Sequence, residues 1–193
     1  MKRRVQALCV SLVVGVALGT PATADDRADL EQRLGQREIV VQSKTVRQSP
    51  VPRVTALALV DAPPPEVWGI VSDCERLQEV LESGSVAEEL SRKGNRSKCR
   101  VRVSVPFGEL VSVTDVRLSV KPGKQWRSTW TGAGGDFTVN DGSWVLAPFA
   151  GGTLVAYTVQ AAPTIPIPRA ILEQTQRSRM VAMLERLREV LER

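Results

Sequence analysis

Lys98-Cys99-Arg100-Val101-Arg102-Val103-Ser104-Val105 alternates polar and apolar residues without a break. Period two is the side-chain period of a β-strand. Cys99, Val101, Val103 and Val105 therefore share one face, and Lys98, Arg100, Arg102 and Ser104 share the other. A strand with one apolar and one charged face belongs to an antiparallel sheet with water on one side. The pattern continues downstream. Residues 110–120 turn Val116, Leu118 and Val120 inward and Asp115, Arg117 and Ser119 outward. Lys121-Pro122-Gly123-Lys124 is a turn. Residues 125–131 put Trp126 and Trp130 on one face, and strands over 137–146 and 153–160 complete the run. Gly132-Ala133-Gly134-Gly135 reads as a hairpin loop, because no helix and no Lys-Ser/Thr pair follows it as in a phosphate loop.

Upstream, residues 38–46 and 53–60 read as strands separated by Pro50 and Pro52. Pro63-Pro64-Pro65 ends the second strand and can open a helix, since proline is tolerated in a first turn. Val67, Ile70, Val71, Cys74 and Leu77 then recur at spacings of three and four. A second short helix is predicted over 75–82, ending near Gly84. The chain closes with a long helix over 168–191, whose apolar stripe is Met180, Met183, Leu184, Leu187 and Leu191. The order is strands, two short helices, consecutive antiparallel strands and one terminal helix, which is an α+β architecture without internal repeats.

The N-terminus carries a different kind of information. Lys2, Arg3 and Arg4 precede an apolar run over 5–19, and Ala22-Thr23-Ala24 precedes Asp25. This is the pattern of a cleavable export signal, with cleavage expected after Ala24, and it predicts a periplasmic or secreted protein. The run is shorter than the roughly 20 residues that span a bilayer. Residues 25–36 form a charged segment with Leu30 and Leu34 at helical spacing, and 37–193 form one domain. Removing 1–24 takes away three basic residues and no acidic one, so the formal net charge falls from +5 to +2. Basic residues are not interleaved with aromatics, and no nucleic-acid partner is indicated.

The chain contains no histidine. That excludes Ser-His-Asp and Cys-His catalysis and histidine metal sites. Two cysteines alone make no zinc site. No carboxylate pair is spaced as a general acid and base, and Asp73 and Asp136 read as a cap and a turn residue. No catalytic residue, metal or cofactor is expected. In an oxidising compartment Cys74 and Cys99 could bridge, or they could pack as two buried thiols, and the sequence leaves both open. The four tryptophans, Trp68, Trp126, Trp130 and Trp144, fit either ordinary core packing or the walls of an apolar cavity.

Val60-Asp61-Ala62-Pro63, Val67-Trp68 and Val71-Ser72-Asp73 together resemble the signature of the START-like (SRPBCC) superfamily. The branch they resemble groups polyketide cyclase/dehydrases with coenzyme Q-binding START domain proteins. Gly142-Ser143-Trp144-Val145-Leu146 with Pro148, and Gly152-Thr153 with Tyr157, are similar to two later strands of that family. Pro168 opening the last helix is also similar. Cys74 and Gln78 depart from the pattern, which favours an aromatic and a proline at those places. The resemblance implies a helix-grip fold over about 51–191, in which a curved antiparallel sheet wraps the long C-terminal helix and encloses a hydrophobic cavity. Val101, Val103, Val105, Trp126, Trp130, Trp144 and Tyr157 are the expected lining. The function implied is non-catalytic binding of a hydrophobic small molecule, such as a lipid or a quinone-like compound, by a monomer. The alternatives are a cyclase or dehydratase, and an envelope interaction module with a vestigial cavity. Pro163-Thr164-Ile165-Pro166-Ile167-Pro168 is apolar and stiff, and reads either as a packed connector or as a lip making transient membrane contact.

Overall fold

The structure is a computed structural model that describes residues 24–47, 49–105 and 108–192. The expected export signal over 1–24, apart from Ala24, and the turn residues Pro106 and Phe107 lie outside the described residues. Eight strands form one antiparallel, unclosed sheet: β1 (Val40–Lys44), β2 (Arg53–Val60), β3 (Val86–Lys93), β4 (Arg96–Val105), β5 (Gly108–Lys121), β6 (Gln125–Gly135), β7 (Phe137–Phe149) and β8 (Gly152–Pro163). Their spatial order is β1-β2-β8-β7-β6-β5-β4-β3. Strands β3 to β8 thus follow one another as a meander, and β2 joins the meander through β8.

Among the described residues three helices accompany the sheet: α1 (Ala24–Gly35), α2 (Pro64–Val71) and α3 (Arg169–Leu191). Pro63 caps α2, and Pro64 supplies its first position with a preset φ. Only a four-residue 3-10 turn, Arg76–Glu79, stands where a second short helix was predicted. Helix α1 packs on the back of the sheet through Leu30 and Leu34, against Val40, Leu57 and Leu154. Helices α2 and α3 pack on the front, where Val67, Ile70, Val71, Met180, Leu184 and Leu187 join the main core with Val54, Ala56, Val60 and Val155. The α+β helix-grip arrangement implied by the resemblance is therefore present.

Two further differences from the sequence reading have physical causes. Strand β3 was not predicted, because Val86-Ala87-Glu88-Glu89-Leu90-Ser91-Arg92-Lys93 does not alternate, and its register shifts between Glu89 and Ser91. Such a bulge breaks the period on which strand reading depends. Gly132–Gly135 is not a loop: it continues β6 along Ser112, Val113 and Thr114 of β5, past a second bulge. Gly135 has φ of +91°, and a Cβ there would stand 2.2 Å from the carbonyl oxygen of Val111, so only glycine fits.

Candidate functional site

Register fixes which side chains look toward α3, because directly paired residues share a face. Trp126 pairs with Leu146, Ser128 with Trp144 and Trp130 with Gly142. Trp144 pairs in turn with Tyr157, which pairs with Ala56. On the other side Trp130 pairs with Val116. Ser112 pairs with Val101, and Leu110 with Val103. All seven expected lining residues consequently stand on the front face. They are not equivalent. Trp126 and Trp144 are sealed into the core at 7 % and 2 % exposure, whereas Val101, Val103, Val105, Trp130 and Tyr157 are half-buried. Val120 keeps the predicted parity, but it is 45 % exposed at the far end of β5.

The aromatic group is tightly arranged. Trp144 stacks on Tyr157 with ring centroids 3.9 Å apart and planes 14° apart, and Trp130 stands 6.0 Å from the same phenol ring. Desolvation raises the Tyr157 phenol well above its ordinary pKa, so it stays neutral. Gly142 makes the arrangement possible. A Cβ there would fall 2.1 Å from Cζ2 of Trp130 and 2.4 Å from the carbonyl oxygen of Thr158. Gly142→Ala is expected to push Trp130 off β7 and cost about 2 kcal/mol by overpacking. The check is a lowered urea midpoint together with a changed near-ultraviolet dichroism; an unchanged tryptophan signal would contradict the geometry.

The front face also carries polar groups that sequence reading did not select. Ser112, Thr114 and Ser128 are buried, and Asn140 donates from Nδ2 to Ser112 Oγ at 2.5 Å. The parity that assigned Val116 inward also places Thr114 and Ser112 inward; their polarity alone hid them. Asn140 gave no such signal. Asp73 and Asp136 are occupied with backbone. Asp73 Oδ1 accepts from the amides of Glu75 and Arg76, both at 3.0 Å, and Asp136 Oδ2 accepts from Val111 N at 2.7 Å.

Helix α3 faces this surface unevenly. Met180, Leu184 and Leu187 are buried, but no residue of its first eleven positions is. That first half is held at the rims of the sheet by polar side chains. Ser43 Oγ donates to Glu173 Oε1 at 2.7 Å, Gln176 Nε2 to Ala161 O at 2.6 Å and Arg179 Nη2 to Ser104 O at 3.2 Å. Arg179 also pairs with Glu82 at 3.2 Å. The Oε1 atom of Gln176 is buried without a partner among the described residues. Such rim pairs are each worth about 0–1 kcal/mol. The connector 163–168 lies at this same end: Thr164 N donates to Asp136 O at 2.8 Å, Ile165 is 48 % exposed, and Ile171 in the first turn of α3 is 57 % exposed.

The Sγ atoms of Cys74 and Cys99 stand 2.00 Å apart, at bonding distance, with Cα atoms 6.0 Å apart. They join the segment after α2 to the front face of β4, among Leu81, Ala87, Val101 and Val116. Among the described residues no cluster of His, Cys, Asp and Glu could hold a metal ion, and no helix is long and apolar enough to cross a membrane.

Comparison with known proteins fits this geometry. No curated protein matches the chain. Among solved structures, TTHA0849 from Thermus thermophilus is 25 % identical with a TM-score of 0.64, over 72 % of this chain and 95 % of that one. The STAR-related lipid transfer protein from Xanthomonas axonopodis is 19 % identical with a TM-score of 0.70, over 80 % of this chain and 94 % of that one. The Zhui aromatase/cyclase from a Streptomyces species is 16 % identical with a TM-score of 0.60, over 73 % of this chain and 93 % of that one. The last two share the fold. Residues 60–188 match the family described as polyketide cyclase / dehydrase and lipid transport, and these residues run from the end of β2 almost to the end of α3. Family match, strand order and the helix laid across the front of the sheet agree: the chain belongs to the polyketide cyclase / dehydrase and lipid transport family.

Proposed function

We propose that this protein is an exported carrier that holds a hydrophobic molecule, of lipid or quinone type, between the front face of the sheet and the first half of α3. One observation carries the reading. Val101, Val103, Val105, Trp130 and Tyr157 form a half-buried apolar face opposite a half-helix none of whose residues is fully buried. Apolar surface left partly uncovered at such depth gains by about 25 cal/mol per Å² when an apolar ligand covers it. The fold of the lipid transfer protein from Xanthomonas axonopodis supports the same reading by likeness.

The test is native mass spectrometry, with lipid extraction, of protein purified from its own envelope. An apolar molecule should co-purify, and Trp130→Ala should retain several-fold less of it. Protein free of any adduct, with the Trp130→Ala variant binding added lipid as well as the parent, would overturn the proposal. Export has its own readout: the N-terminus of periplasmic material should be Asp25.

A second reading, a cyclase or dehydratase, draws on Asn140 and Ser112, a hydrogen-bonded polar pair on the front face. It expects a bound aromatic or polyketide chain to be chemically changed on incubation, and changed more slowly by Asn140→Ala. Recovery of the extracted ligand unaltered favours the carrier.

A further inference from the structure

The back of the sheet is divided between two surfaces. Helix α1 covers β1, β2 and β8. The other half, on β3 to β6, is bare and cationic. At one end of it the hairpin β3–β4 presents Lys93 and Arg96, and the hairpin β5–β6 presents Lys121 and Lys124. The two hairpins are fastened together there: Leu118 N donates to Asn95 O at 2.8 Å, and Asn95 Nδ2 donates to Leu118 O at 3.0 Å. Arg117 and Arg127 stand on the adjoining strands. Arg96 pairs directly with Arg117 across β4 and β5. Neighbouring Lys98 and Arg100, in contrast, are neutralised by Asp115 and Glu88. None of the six cations has a carboxylate partner among the described residues.

Like charges placed directly opposite on a sheet repel, and a fold retains such a pair at a cost unless an anion lies between or over them. The two hairpins stand side by side at this end, the β5–β6 tip reaching past the β3–β4 tip, and their cations are presented outward to a surface. Trp126, Trp130, Trp144 and Tyr157, which could stack nucleobases, are all on the front, and Phe149 on the back is packed against the α1 cluster. Val120, 45 % exposed, lies beside the cations and adds apolar surface at the same end. We propose that this end, formed by Lys93, Arg96, Arg117, Lys121, Lys124 and Arg127, docks on the phosphate headgroups of an anionic phospholipid bilayer. The site lies at the opposite end of the 14-residue strand β5 from the connector 163–168. Along β5 the cations from Arg117 to Lys121 stand roughly 20–33 Å from Val111, which lies beside the connector through Asp136. The docked protein turns the connector away from the bilayer, and this docking does not depend on what the front face binds.

Vesicle co-sedimentation tests it, with the full chain and its N-terminus read by mass spectrometry. Vesicles of phosphatidylcholine mixed with an equal amount of phosphatidylglycerol should bind the protein at low salt and release it at high salt. Pure phosphatidylcholine should not bind it. Each cation near an anionic surface contributes roughly fivefold. A variant carrying Arg96→Gln, Arg117→Gln, Lys121→Gln and Lys124→Gln should lose at least about tenfold in partitioning. Circular dichroism verifies its fold; Lys93→Gln with Arg127→Gln is the alternative if the fourfold variant fails to fold. Ile165→Asp, at the other end, should bind as the parent does. Equal binding to neutral vesicles, loss in Ile165→Asp but not in the fourfold variant, or retention on heparin without vesicle binding would each overturn the proposal.

Discussion

Leu184→Ala is expected to destabilise the protein by about 3 kcal/mol, while Ile171→Ala, on the same helix, changes stability by less than about 0.5 kcal/mol. Leu184 is completely buried among α2, β2 and β8 residues, whereas Ile171 is 57 % exposed. Truncating a sealed leucine removes its transfer free energy and leaves a cavity that close-packed neighbours fill only in part. Truncating Ile171 removes little buried area and replaces a β-branched residue with the best helix former. The measurement is urea unfolding with the slope held common, so that the midpoints report stability. Equal losses at both positions would mean that α3 is packed along its whole length, and the uncovered half-helix would no longer exist. The pair of variants thus examines stability and the ligand site together.

Reduction of the Cys74–Cys99 pair is expected to lower stability by about 3 kcal/mol under oxidising purification. The two residues are separated by 25 positions, so a bridge removes much of the freedom of the unfolded segment that holds the 3-10 turn and β3. Unfolding midpoints with and without reductant should differ for the parent and coincide for Cys74→Ser with Cys99→Ser. Peptide mapping without reductant should recover a fragment linking Cys74 to Cys99. Free thiols at both positions in protein taken from the envelope would refute the bridge and weaken the argument for export at the same time.

Much of the fold was legible because β4 and β5 alternate and because α3 ends in an apolar stripe at helical spacing. The front-facing valines and tryptophans followed from the same parity. What escaped has local causes. The bulge in β3 destroyed its alternation, and the glycines of β6 looked like a loop because glycine is rare in strand interiors. Ser112, Thr114 and Asn140 escaped because a polar residue on an inward parity position carries no compositional signal. The difference between Trp144, sealed, and Trp130, half-buried, depends on where α2 and the second half of α3 cover the sheet, which no single strand encodes. The basic back face was visible as alternating arginines, but the pairing of Arg96 with Arg117 needed the register.

The strand order has one more consequence. An unclosed sheet has two edges, and exposed backbone on an edge is a template for further strands and so for aggregation. Here the first edge, β1, is only five residues long, and Arg177 reaches its Val41 carbonyl oxygen from α3 at 3.5 Å. The second edge, β3, is bulged and carries Glu88, Glu89, Arg92 and Lys93. Both edges are thus poor partners for another copy of the chain, so the sheet can stay open for a guest without inviting polymerisation.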